Sequence, residues 1–159
     1  MKTKFFAVVV ALFMFAAVAQ SQDYKSAIGL RLGYPLSASY KTFISEKGAF
    51  EGVAGFRSYS TYSWFNVGAY YQHHTEIPSV DGLKWYYGAG ANIYFWSFDF
   101  VSDASSTSIG LSGVLGLDYK LKDTPLNLSV DWIPTFFING YQNGFGGGYG
   151  ALAARYVLN

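Results

Sequence analysis

The sequence predicts an all-β protein: an eight-stranded antiparallel transmembrane β-barrel preceded by a cleavable signal peptide. Three observations carry this expectation. The first is an N-terminal leader with the build of an export signal. The second is a set of eight later segments in which apolar residues alternate with small or polar ones. The third is composition. Of 159 residues, 51% are apolar, 20% are aromatic and only 13% are charged, about half the roughly 25% charge of soluble domains.

The leader comes first. Lys2 and Lys4 make a short positive start, residues 5–18 are a continuous apolar run, and Ala17 and Ala19 form the small-x-small pattern that signal peptidase prefers. Cleavage is expected after Ala19 or a few residues later, which divides the chain into a signal peptide, 1–19, and a barrel domain, 20–159. An uncleaved anchor is the alternative. It needs a longer run, because a helix crossing ~30 Å of hydrocarbon takes about 20 residues. Losing Lys2 and Lys4 lowers the formal charge from +1 to about −1. Such a balance argues against a nucleic-acid partner. With no cysteine, a lipoprotein, a disulfide scaffold, a thiolate zinc site and cysteine nucleophile chemistry are excluded.

The eight segments follow in order, each with the period-2 pattern of a strand. In 25–34, Ile28, Leu30, Leu32 and Tyr34 oppose Gly29, Arg31 and Gly33. In 37–44, Ala38, Tyr40 and Ile44 oppose Ser39 and Lys41. In 49–58, Phe50, Ala54 and Phe56 oppose Glu51, Gly55 and Arg57. In 62–73, Phe65, Val67, Ala69 and Tyr71 oppose Asn66, Gly68, Tyr70 and Gln72. In 83–96, Leu83, Trp85, Tyr87, Ala89, Ala91, Ile93 and Phe95 oppose Tyr86, Gly88, Gly90, Asn92 and Tyr94. In 108–119, Ile109, Leu111, Leu115 and Leu117 oppose Gly110, Ser112, Gly116 and Asp118. In 125–136, Leu126, Leu128, Val130 and Trp132 oppose Asn127, Ser129 and Asp131. In 149–158, Leu152, Ala154, Tyr156 and Leu158 oppose Ala151, Ala153 and Arg155. Each is about long enough to cross a bilayer as a tilted strand. Pro134 cannot donate to a ladder, so a bulge or the exit of the seventh strand is expected there.

Two closed barrels fit this pattern. A soluble lipocalin-like barrel turns its apolar face inward around a ligand; a membrane barrel does the reverse. Here the apolar face is bulky and nearly free of charge, while the other face is rich in glycine and serine. A surface in water needs more Lys and Glu than this chain has, so the small polar face is assigned to the lumen. An eight-stranded lumen is just wide enough to be filled by side chains. Arg31, Lys41, Glu51, Arg57, Asp118, Asp131 and Arg155 then form a lumen charge network, since desolvated charges need partners. Two roles fit it: an ion-paired plug that holds the strands in register, or a selectivity network in a narrow pore. The plug is the expected role. Aromatic residues near strand ends are read as interfacial girdles. Tyr34, Tyr59, Tyr62, Trp64, Trp96 and Phe98 lie at one end, and Phe43, Tyr71, Trp85, Tyr119 and Tyr156 at the other.

An even number of strands places both chain ends on one side, expected to be the periplasm. The connections 45–48 and 120–124 are then short inner turns, and 97–107 and 138–147 long outer loops. The tight outer hairpin at Tyr34-Pro35-Leu36 and the long inner turn 75–82 depart from that rule. The glycine-rich stretch 144–150 lacks the Gly-Lys-Ser/Thr of a phosphate loop and is expected to be a flexible outer loop entering the last strand.

With this leader, these eight segments and the ending Leu152-Ala153-Ala154-Arg155-Tyr156-Val157-Leu158-Asn159, the chain resembles the small bacterial outer-membrane β-barrels, OmpA-like and OmpX-like in architecture. The ending resembles the C-terminal signal read by the barrel assembly machinery, except that an aromatic usually stands last where this chain has Asn159. The resemblance implies a Gram-negative outer-membrane location. It implies outer-membrane lipid and the assembly machinery as partners; apart from the resemblance, the outer loops 97–107 and 138–147 are read as the place where a surface partner could bind. It implies no catalytic residue, cofactor or metal. Barrel enzymes that modify lipid A carry a His and a Ser near the extracellular end. In this sequence His73 and His74 fall at the opposite end, and Asp99, Ser102, Asp103 and Ser105 have no histidine beside them. The two histidines, as strand neighbours, face opposite ways and are read as a turn-proximal pair. The expected function is structural. A low-conductance channel is the alternative, and a lipid-modifying enzyme a second one.

Overall fold

A computed structural model describes residues 24–98, 105–140 and 142–159. The expected signal peptide, 1–19, lies outside the described residues, as do Asp99, Ser102 and Asp103. All regular structure among the described residues is β: β1 (Ser26–Tyr34), β2 (Leu36–Phe43), β3 (Gly48–Ser58), β4 (Tyr62–Glu76), β5 (Leu83–Phe98), β6 (Ser105–Lys120), β7 (Leu126–Trp132), β8 (Thr135–Phe137), β9 (Gly144–Gly146) and β10 (Gly150–Val157).

From β1 to β7 each strand pairs antiparallel with the next, β6 also pairs with β8 and β8 with β9, and β10 pairs with both β7 and β1, so the sheet closes on itself. At that seam Ala27 faces Val157 and Tyr34 faces Gly150. The ten segments make eight barrel strands, because β7 with β8, and β9 with β10, are each one strand divided in two. Pro134 is the cause. On the β6 side the register runs through it unchanged: Leu115 faces Trp132 and Ser112 faces Thr135. Gly113 N donates to Pro134 O at 2.9 Å. On the other side the register slips by one. Ile133 N donates to Tyr149 O, and Thr135 already faces Gly146. Pro134 alone therefore stands opposite both Gly147 and Gly148, a one-residue bulge. The bulge expected on the seventh strand sits on its partner, where glycine accommodates it. The stretch read as a flexible loop also contributes β9, which pairs with β8 above the bulge.

The faces are as the alternation requires. Ile28, Leu30, Phe56, Val67, Phe95, Leu111, Val130 and Leu152 are exposed on the outside, while Arg31, Ser39, Glu51, Asn92, Asp118 and Arg155 are buried inside. A closed barrel leaves no unpaired edge and satisfies backbone groups between strands, the condition for meeting hydrocarbon with strands.

The termini end carries the turns 44–47, 77–82 and 121–125. Strand β4 runs to Glu76, longer than the segment 62–73, so the long inner turn shortens to six residues. Gly82, at φ +79°, closes it in a conformation that favours glycine. At the opposite end β5 and β6 extend to Phe98 and Ser105, absorbing both edges of loop 97–107.

Candidate functional site

The lumen is packed in three layers. The middle layer is ionic. Glu51 on β3 is its hub: Arg31 Nη1 donates to Glu51 Oε1 at 3.0 Å, Arg155 Nη2 donates to the same oxygen, and Lys41 Nζ lies 3.8 Å from Oε2. Arg31 Nη2 donates to Asp131 Oδ1 at 2.6 Å, and Lys41 Nζ to Asp118 Oδ2 at 3.0 Å. Three cations thus meet three carboxylates, all nearly inaccessible to solvent. Removing charges from water costs several kcal/mol per ion unless geometry and further hydrogen bonds compensate. Those bonds are present. Gln72 donates to Glu51, Tyr86 OH to Asp131, and Asn127 and Tyr24 OH to Asp118. Arg155 directs its remaining donors to Ser39, Ser129 and Asn127 Oδ1.

Towards the end away from the termini the lumen becomes aromatic. Trp64, Tyr70, Tyr94, Trp96, Phe137 and Tyr149 pack together with Val53, Val114 and Ile133, with Tyr34, Tyr62 and Phe98 against their margin. Ring centroids lie 5.3 Å apart for Trp64 and Tyr94, and 5.2 Å for Tyr94 and Phe137, tilted as ring quadrupoles favour. A polar ladder crosses this layer. Tyr70 OH donates to Asn92 Oδ1, Asn92 Nδ2 to Ser112 Oγ at 2.8 Å, and Ser112 and Thr135 share a hydrogen bond at 2.7 Å.

At the termini end Tyr24 folds in ahead of β1 and meets the Phe43 ring edge-on at 5.1 Å; Phe43 in turn packs on His74 at 4.8 Å. The ionic layer therefore lies between two aromatic layers. Beside it, a space that extends from Arg31 and Asn66 past Tyr70 and Tyr94 to Tyr34 and Pro35 has a volume of about 20 Å³, room for roughly one water.

The expected network residues Arg31, Lys41, Glu51, Asp118, Asp131 and Arg155 come together. Arg57 does not join them. It stands at the aromatic end, half-buried, with its guanidinium carbon 4.9 Å from the centre of the Tyr34 ring and Nε donating to Tyr59 OH at 3.2 Å. Without Arg57, the network holds equal numbers of opposite charges.

The girdles need correction. Tyr71, Trp85, Tyr119 and Tyr156 do face outward at the termini end. Phe43, Trp64 and Trp96 face the lumen, only 2%, 1% and 4% exposed. Tyr34, Tyr59, Tyr62 and Phe98 are half-buried. Tyr34 packs on Trp64, Tyr59 stacks on Tyr62, and Tyr62 and Phe98 pack against the aromatic layer. The end away from the termini thus has an aromatic stopper rather than the expected girdle. The physical reason is parity. Phe43 shares its side with Lys41, Trp64 with Asn66, and Trp96 with Tyr94.

Sequence reasoning missed Tyr24, His74 and Lys84 in the lumen. With β4 taken to end at His73, His74 had no assigned face. Continued to Glu76, the strand gives it the parity of Gln72. Lys84 has the parity of Tyr86. Tyr24 precedes the first strand and carried no periodic signal.

No known protein-family model matches this chain, and no curated protein matches it closely enough to count as a relative. Among solved structures it is similar to the crystal structure of Neisserial surface protein A (NspA), at a TM-score of 0.54 and 20% identity, over 84% of this chain and 93% of that one. A closed sheet, an apolar exterior, a filled lumen and this likeness together give the fold: a small, closed eight-stranded antiparallel β-barrel with its apolar face outward.

Proposed function

We propose that this protein is an integral outer-membrane barrel with a mainly structural role in the envelope, and that its lumen is a plug rather than a pore. The filling of the lumen carries the reading: paired charges lie between two aromatic layers, and the space beside them holds roughly one water. Aqueous channels belong to barrels of about 16 strands. The exposed apolar exterior supports a lipid environment, with lipid as the constant partner and the barrel assembly machinery as the partner during insertion. Likeness to a protein named as a surface protein supports the same location. In this orientation the termini end faces the periplasm. The opposite end faces outward, where a surface partner would meet it. The reading needs no cofactor and assigns no catalytic residue.

The test is conductance in planar bilayers. The folded protein is expected to give no stepwise current, and Glu51→Gln, which uncouples the hub, is expected to raise the baseline leak. Discrete openings in the native protein that change size on neutralising Glu51 would establish the channel reading instead.

A further inference from the structure

The plug leaves cavities open outside the filled lumen. A pocket of about 320 Å³ opens at the termini end, lined by Glu46, Lys47, His74, Thr75, Glu76 and Lys84. Its volume falls at the lower end of small-ligand sites, about 300–1,000 Å³. Its charges are layered. The deep groups are the buried Lys84 and His74, and the rim groups Glu46, Lys47 and Glu76 are exposed. Lys84 Nζ lies 3.9 Å from Glu76 Oε1, whose side chain is largely in solvent.

His74 is the second observation. It is 2% exposed, and neither ring nitrogen has a hydrogen-bond partner among the described residues. The ring is held between Phe43 and Tyr86, 4.8 Å from each. The nearest carboxylate oxygen, Asp118 Oδ2, is 3.9 Å from Nε2 and already accepts hydrogen bonds from Lys41 and Tyr24. A buried imidazole offers one donor and one acceptor, and leaving both unmade is costly.

We propose that this pocket binds a small zwitterion, an amino acid or short peptide, with its carboxylate towards Lys84 and His74 and its ammonium towards Glu46 and Glu76. A simple anion would leave Glu46 and Glu76 unmatched, and a simple cation would meet a lysine at the floor. The proposal does not depend on membrane location, because the pocket belongs to the folded barrel itself.

The experiment titrates the detergent-folded protein, carrying ¹⁵N-labelled histidine, with the dipeptide alanyl-alanine and reads the imidazole resonances. His74 is expected to shift saturably. His73, which faces outward against Tyr87, stays fixed as the internal reference. Acetate and propylamine, each with half the charge pattern, are expected to bind about tenfold more weakly or less. Lys84→Gln is expected to weaken the dipeptide by about tenfold. If that variant does not fold, judged by heat-modifiable migration in SDS, the rim variant Glu76→Gln replaces it and is expected to weaken the dipeptide but not acetate. No saturable shift of His74, equal response to acetate, or affinity unchanged in the folded variants would each overturn the proposal. The migration test reports the barrel and the titration reports the pocket, so the two failures are distinguishable.

Discussion

Trp64 and Trp96 each sit one residue from a phenylalanine that faces the opposite way. Phe65 and Phe95 are exposed, while the tryptophans beside them are sealed in the lumen. The chain has four tryptophans, and the structure divides them evenly: Trp85 and Trp132, 38% and 49% exposed, stand on the outside. That division is measurable. In single-tryptophan variants reconstituted with brominated lipids, Trp85 and Trp132 are expected to be strongly quenched and Trp64 and Trp96 to stay bright. Equal quenching of all four would return Trp64 and Trp96 to the interfacial girdle. The parity that separates them was legible in the sequence, since Trp64 falls with Asn66 and Trp96 with Tyr94. Their nearness to strand ends pointed the other way, and parity decides because successive side chains leave a strand on opposite faces.

At the scale of the strand, the lumen glycines make room for the large residues beside them. Gly116 on β6 is the clearest case. A Cβ there would lie 2.6 Å from Tyr86 Cζ and 2.6 Å from the Val130 carbonyl oxygen. Tyr86 is also the residue that donates to Asp131 at 2.7 Å and lies beneath Lys41. Gly116→Ala is therefore expected to push the phenol out of its hydrogen bond and lower stability by about 1–3 kcal/mol, the usual cost of overpacking. The check is the urea midpoint of the folded protein in micelles, and an unchanged midpoint would show that Tyr86 moves freely. The bulge opposite Pro134 belongs to this scale too. The sequence located the irregularity to the residue, because proline lacks the donor. It did not reveal which strand would absorb the extra residue; Gly147 and Gly148 on the partner settle that by pairing.

At the scale of the whole molecule the decisive contact is the seam between β1 and β10, from Ala27–Val157 to Tyr34–Gly150. It joins the first and last strands of the described chain and closes the ring, leaving the three-residue β9 paired on one side, with β8. Amides of Leu30, Leu32, Leu152 and Ala154 at the seam are expected to exchange hydrogen as slowly as those of Val67 and Ile93 in the β4–β5 pair. Fast exchange confined to β1 and β10 would mean an open sheet. Closure also explains how the six charges of the network are tolerated. Arg31 on β1 reaches Glu51 on β3 and Asp131 on β7, and Arg155 on β10 reaches Glu51. Only a closed lumen brings those strands within the reach of one side chain.

The sequence by itself determined the class of fold, the number of strands and which face of each meets the lumen, because these follow from local period and composition. It also determined that the lumen charges nearly balance. The tertiary structure decided which of them meet. It drew Glu51 to three cations, left Arg57 with Tyr34 and Tyr59, and carried Tyr24 and His74 inside. Those outcomes depend on strand tilt, register across the seam and the reach of each side chain, none of which has a period along the chain.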